Sequence, residues 1–281
     1  MPEVIHGVAV QLAPGVRRVT APNPGVMTGA GTNTYLLGDR HVAVVDPGPD
    51  MPEHVRAILS AIEQGGGELS RIFATHTHVD HSPATASLLR HRKVAVIGAL
   101  ASDNMFQDAT FSPDIQCQHE QVFSTDEYSL RALATPGHVS NHFCFLEENS
   151  GLLFTGDHIM NGSTVVIIPP SGDMAAYINS LKLLLDYPMS HLAPGHGDIM
   201  ENPAGVVQWL VDHRLEREAK VVKVLQGHGE SSVDELVVDV YDDVPVAVHP
   251  VAKLSLLAHL LKLEQEGRAG HANKRWTFLS I

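Results

Sequence analysis

Short apolar runs alternate with segments of helical period through residues 1 to about 200. Period-two or fully apolar runs mark strands at 17–20, 34–37, 42–45, 72–75, 94–97, 130–134, 143–146, 152–155 and 191–193. Apolar residues at three- and four-residue spacing mark helices at 52–64, 83–91 and 173–186. Pro52 and Pro83 suit first-turn positions, where a missing N–H costs little, and Gly65-Gly66-Gly67 stops the first helix. The order predicts two sheets packed face to face with helices outside. Residues 99–121 follow neither period and read as a loop or insertion beside the site. The apolar run 165–170 reads as a buried strand, or else as a loop that receives an apolar group.

From about Pro203 the pattern turns helical. Residues 206–226 form one long amphipathic stretch ended by Gly227-His228-Gly229, and Ser232 with Glu235 makes a capping box for a second helix. Pro250 opens a third, 251–266, stopped by Gly267, and 271–281 suits a short strand pair. Three helices and a hairpin describe a winged-helix-like unit, so the chain divides into domains 1–202 and 203–281. DNA binding is not expected of it. The third helix carries two lysines among many leucines, and Asp239, Asp242 and Asp243 would face phosphate badly. That helix packs either internally or against a second copy, which leaves a homo-oligomer open.

Charge and cysteine content narrow the setting. A formal net charge of −13 repels nucleic acid at long range. Cys117 and Cys144 make no disulfide framework and read as reduced thiols. No stretch is expected to span a membrane and the first residues do not pattern as a signal peptide, so a cytoplasmic location and no membrane partner are expected.

The chemistry concentrates at strand ends. Thr75-His76-Thr77-His78-Val79-Asp80-His81 follows an apolar strand and precedes a helix. In extended chain His76 and His78 point to one side and can grip one ion, while Asp80 and His81 turn toward a second. Three further apolar runs end in a tight turn and a ligand: His138 after Thr135-Pro136-Gly137, Asp157 after Thr155-Gly156, and His196 after Pro194-Gly195. Imidazole and carboxylate suit zinc, with manganese or iron as alternatives.

The ordered series His76-x-His78-x-Asp80-His81, His138, Asp157, His196 resembles the metallo-β-lactamase superfamily of hydrolases. The segments Gly31-Thr32-Asn33-Thr34-Tyr35-Leu36 and Val45-Asp46-Pro47-Gly48 resemble its early strands. The resemblance implies an α/β (α+β) fold, a four-layer αββα sandwich, here followed by the winged-helix-like domain. It implies two metal ions per chain: His76, His78 and His138 on the first, Asp80, His81 and His196 on the second, and Asp157 bridging. Many zinc β-lactamases lack that bridging Asp, so antibiotic hydrolysis is not the expected role. The tail, with His213-Arg214-x-x-Arg217-Glu218 and Ser255-Leu256-Leu257-Ala258-His259-Leu260, resembles the β-lactamase-like protein 2 subgroup. Bacterial members often carry a Trp two places before the Ser163-Thr164 position. The run here is Met160-Asn161-Gly162, which removes a large side chain from the expected cleft.

Two such ions bring a shared water toward a pKa of about 7, and the resulting metal-bound hydroxide attacks a carbonyl or phosphorus centre. Asp80 is the expected catalytic residue, ligating the second ion and orienting or accepting a proton from the nucleophile. Asp46, His142 and His158 are read as supports behind the ligands, and Asn33 and Thr34 as organisers of the loops. Gly29-Ala30-Gly31 lacks the rest of a nucleotide-loop pattern and reads as a turn. The leading substrate is a small carbonyl compound: an ester, thioester or lactone. A single-strand-specific endoribonuclease with RNA as partner is the alternative, and a non-catalytic metal-binding or scaffold protein is the third reading.

Overall fold

A computed structural model describes residues 4–102 and 105–280. Its elements fall into two units of chain: 1–135 with 141–164 and 188–203, and 136–140 with 165–187 and 204–281.

In the first unit, strands β1 (Ala9–Ala13), β2 (Val16–Thr20), β3 (Asn33–Leu37), β4 (His41–Val45), β5 (Glu68–Phe73), β6 (Ala95–Gly98) and β7 (Ile115–Gln116) form one sheet in sequence order. β1 to β4 run antiparallel and β4 to β7 parallel. A second sheet has the order β12-β11-β10-β9-β8, from β8 (Val122–Ser124), β9 (Ser129–Ala134), β10 (Phe143–Glu147), β11 (Leu152–Gly156) and β12 (His191–Pro194). Alternation along each strand splits its side chains between two cores. Tyr35, Phe73, Phe145 and Phe154 meet between the sheets, with Tyr35 and Phe154 ring centroids 4.9 Å apart. Leu36, Val42, Val44 and Ile72 face the other way, against Val55, Ile58, Ile62 and Leu88 of α1 (Pro52–Gln64) and α2 (Ala84–His91). Two mixed sheets flanked by helices make the αββα sandwich that the pattern predicts.

The second unit holds α3 (Met174–Leu184), α4 (Pro203–His228), α5 (Val233–Val240), α6 (His249–Gln265) and the hairpin β13 (Ala269–Ala272) and β14 (Arg275–Phe278). The Ser232–Glu235 capping box is formed. Val221, Leu225, Leu236, Leu256, Leu260 and Trp276 build its core. The stretch Val246–Gln265, with mean hydropathy 1.3, is long and apolar enough to cross a membrane, against the expectation that no such stretch exists. Leu256, Leu260 and Leu263 on it are buried in that core. Asp243 is gripped at both oxygens by Arg217 at 2.7 Å, and Asp242 pairs with Lys220.

Residues 165–170 are not a strand; they form a loop whose Val165 and Ile167 are buried. β1, β7 and β8 lack the long apolar runs that marked the other strands. β1 and β7 are edge strands whose residues are only partly buried or exposed.

Candidate metal centre

The segment that leaves β5 supplies four of the predicted ligands. His76 is fully buried, and its Nε2 lies 3.0 Å from His78 Nδ1, the two rings crossing edge to face. Asp157 follows β11 and His196 follows β12, so parallel pairing of those strands brings the two side chains to one sheet end. Within the first unit, ligand atoms of His76, His78 and Asp157 lie within 4.8 Å of one another, and those of Asp80, His81 and His196 do the same. Asp157 Oδ1 is 3.3 Å from both His81 Nε2 and His196 Nε2, while Asp80 Oδ2 is 3.5 and 3.3 Å from the same nitrogens.

Two backbone turns make this convergence sterically feasible. A Cβ on Gly195 would stand 2.6 Å from His81 Cε1 and 2.7 Å from Asp157 Oδ1. A Cβ on Gly156, whose φ is +47°, would meet Thr75 Oγ1 at 2.3 Å. The glycines seen in the sequence as turn formers therefore also act by leaving room.

Behind the ligands stands Asp46, itself at a φ of 51°. Its Oδ1 accepts from the Thr75 N–H at 2.7 Å, and its Oδ2 accepts from Thr75 Oγ1 at 2.8 Å and His81 Nδ1 at 3.0 Å. The His81 bond fixes Nε2 as the ligating nitrogen. His142 stacks on His76 at 5.2 Å with its Nδ1 2.9 Å from Thr135 Oγ1, and the buried His158 ring lies 5.7 Å from His142. Asn33 Nδ2 donates to the Pro194 and Gly197 carbonyls, and Thr34 Oγ1 to the Asp46 carbonyl.

His138 belongs to the second unit. Its Nδ1 donates to the Val166 carbonyl at 2.9 Å, which presents Nε2 as the ligand atom. That carbonyl sits on a loop anchored at both sides. Arg214 Nη2 donates to Val165 O at 2.5 Å, and the Ile167 N–H reaches Ser255 Oγ at 3.5 Å.

Two supporting residues lie outside the sequence reading. Thr32 Oγ1 donates to Asp80 Oδ2 at 3.1 Å. His54 is fully buried on α1 beside Thr34 Oγ1, and burial lowers its pKa to about 4. The only sequence signal for His54 was a polar residue at a core-facing position of an amphipathic helix. Thr32 gave none beyond its place in the segment that resembles the family.

The electrostatics test whether cations fit here. Burial resists charge on every member, yet Asp157 is held well below the usual carboxylate range by His196 and His81. Asp80 is brought to about 2 against burial, by His81 and His196. Burial likewise opposes charging His81 and His196. The carboxylates around them win, raising His81 well above its ordinary value and His196 to about 10. His76 goes the other way, lowered by burial and by the neighbouring His81 and His78. Imidazoles that serve as ligands are neutral, and the buried Asp80, Asp157 and Asp46 then require positive charge from elsewhere. Divalent ions at the two His/Asp clusters would supply it, so the donor set fits a dinuclear metal site.

Residues 27–196 match the metallo-beta-lactamase superfamily. The chain belongs to that superfamily. Residues 232–276 match the beta-lactamase associated winged helix domain. The chain is 30% identical to the beta-lactamase-like protein 2 homolog of Drosophila melanogaster, over 92% of this chain and 90% of that one. It is 32% identical to the atrochrysone carboxyl ACP thioesterase of Aspergillus chevalieri, over 95% of this chain and 87% of that one. A beta-lactamase domain protein from Burkholderia ambifaria has the same fold, with a TM-score of 0.84 at 19% identity over 99% of this chain and 96% of that one. This superfamily member is a hydrolase with an intact His/Asp metal site.

Proposed function

We propose that this chain hydrolyses thioesters or related esters with two zinc ions bound. The observation that carries the reading is Asp157 Oδ1, equidistant at 3.3 Å from two imidazoles and at the junction of the two clusters. His138 would supply, by the family pattern, the third imidazole of the first ion, and Asp80, His81 and His196 would hold the second. When bound, the ions would acidify a water and polarise the substrate carbonyl. The chain's own part is to fix that arrangement. Asp80, oriented by Thr32 Oγ1, is placed to orient the attacking water through its carboxylate. Asp46 keeps the His81 ring from rotating, and burial around His76 excludes bulk water.

A carbonyl substrate is favoured over RNA on two grounds. The chain carries a net charge of −13, and curated relatives include an acyl-carrier thioesterase and a second enzyme named a thioesterase in Emericella nidulans. A cytoplasmic setting is proposed with it, since Cys117 and Cys144 are free buried thiols. The test is thiol release from a panel of acyl thioesters by zinc-loaded protein, with Asp80→Asn and a short single-stranded RNA run alongside. Thioester turnover lost in Asp80→Asn is expected. Cleavage of the RNA with no thioester turnover would overturn the reading.

A further inference from the structure

Beside His196 the first unit opens a cavity of about 540 Å³, inside the range of roughly 300–1,000 Å³ that suits a small organic ligand. Its apolar lining comes from Val4, Pro24, Val26, Met27, Ala30 and Met160. Val26 is 101% and Met27 55% exposed, at the tip of the connection between β2 and β3. That connection is ordered: Gly25 N–H donates to Gly29 O at 3.1 Å, and Asn23 bonds Thr32 at both its amide oxygen and nitrogen, each at 2.9 Å. An ordered turn that holds two large apolar side chains in water marks a binding surface more than a loose loop. The same connection ends in Thr32, which hydrogen-bonds Asp80, so the apolar tip and the reacting centre share one rigid piece of backbone.

The charge of the lining points to the kind of ligand. Among the described residues Arg18 is the sole Lys or Arg that lines the cavity, and it is already engaged by Asp198 Oδ1 and Gly197 O, each at 3.3 Å. A phosphate chain would find no uncommitted cation there. Asn161 and Gly162 leave the wall open where a large aromatic would fill it, and the two methionines supply flexible, polarisable surface that adapts to an unbranched chain.

We infer that this cavity receives the apolar acyl chain of the substrate, with Met27 and Met160 setting the chain length accepted. The inference rests on the hydrolase reading for its catalytic consequence, but chain binding can be measured without turnover. The experiment uses zinc-loaded protein and N-acetylcysteamine thioesters from acetyl to dodecanoyl, with the matching non-hydrolysable thioethers titrated by calorimetry. Expected are a kcat/KM that rises about threefold to fourfold per methylene until the cavity is full, and thioether affinities that rise in parallel. Met160→Trp should lower kcat/KM for decanoyl at least tenfold through KM while acetyl changes little. Val26→Asp, on a fully exposed side chain that cannot unfold the protein, should weaken long chains in the same selective way. Thioether binding with this length dependence but no thioester turnover would sink the hydrolysis reading and leave the cavity assignment standing. Length-independent binding, or variants that alter acetyl and decanoyl alike, would overturn the assignment.

Discussion

The Asp46 carboxylate accepts from Thr75 twice and from His81 once, so losing it would release both the ligand segment and one ligand ring. Asp46→Ala should lower metal affinity by roughly 10–100-fold, as removal of such outer partners commonly does. Competition with a chromogenic chelator checks this. His78→Ala should lose metal and turnover together. Asp80→Asn, which keeps a ligand oxygen, should retain part of its metal while kcat falls on the order of 100-fold or more; metal analysis beside kinetics separates the two. His76, His78, Asp80, His81, Asp157 and His196 were legible in the sequence because each follows an apolar run at a sheet end. His54 and Thr32 were not. Their roles depend on which distant polar atoms they meet, and periodicity carries no information about that.

At the scale of elements, the Val165–Ile168 loop matters because its Val166 carbonyl fixes the His138 ring. Arg214 on α4 stacks over Tyr177 at 5.3 Å and bonds the Val165 carbonyl. Arg214→Met should therefore lower metal affinity about tenfold while helix content stays constant, and far-UV circular dichroism with metal titration reads both. A second element-scale test concerns Glu218 on α4. It pairs with Lys262 at 2.7 Å and accepts from Arg268 at 3.2 Å, on α6 and just beyond it. Burial pushes its pKa up, but the neighbouring His259 and Lys262 outweigh that and hold it at about 2. Because the folded value lies below the unfolded one, the stabilisation is complete above pH of about 4.5 and is lost as pH falls toward about 2. Glu218→Ala should cost roughly 1 kcal/mol near neutrality, since Lys262 and Arg268 keep Glu266 as a partner, and the difference in melting temperature from wild type should shrink below pH of about 4.5. The helices themselves were readable from Pro52, the Ser232–Glu235 box and Gly267. The loop at 165–170 was not, since a continuous apolar run suggests a strand whether or not a neighbour offers a ladder.

For the whole molecule, the metal-free protein must compensate its buried carboxylates by charging His81 and His196, whose burial opposes that charge. At ligand concentrations near 100 times the dissociation constant, one binding ion adds about 2.7 kcal/mol. For a chain of this size that is roughly 5–10 °C in melting temperature. Calorimetry before and after chelation should show that loss, with recovery on adding zinc back. An unchanged melting temperature would mean that the buried carboxylates find their compensation within the protein. The sandwich was legible because nine of its strands carry clear apolar runs in the right order. Which segments join the helical unit was not. Residues 136–140 and 165–187 lie with 204–281 through individual side chains such as Arg214 and Ser255.

That dependence has a temporal side. Ile167 and the Ser255 that braces it are 88 positions apart, so on a ribosome adding about 5–20 residues per second the brace arrives roughly 4–18 s later. Until then the loop carrying the Val166 carbonyl that steadies His138 is held on one side only, by Arg214. The sandwich is therefore complete before the His138 ring is braced on both sides, and a chain stalled before α6 would present a partly formed metal centre.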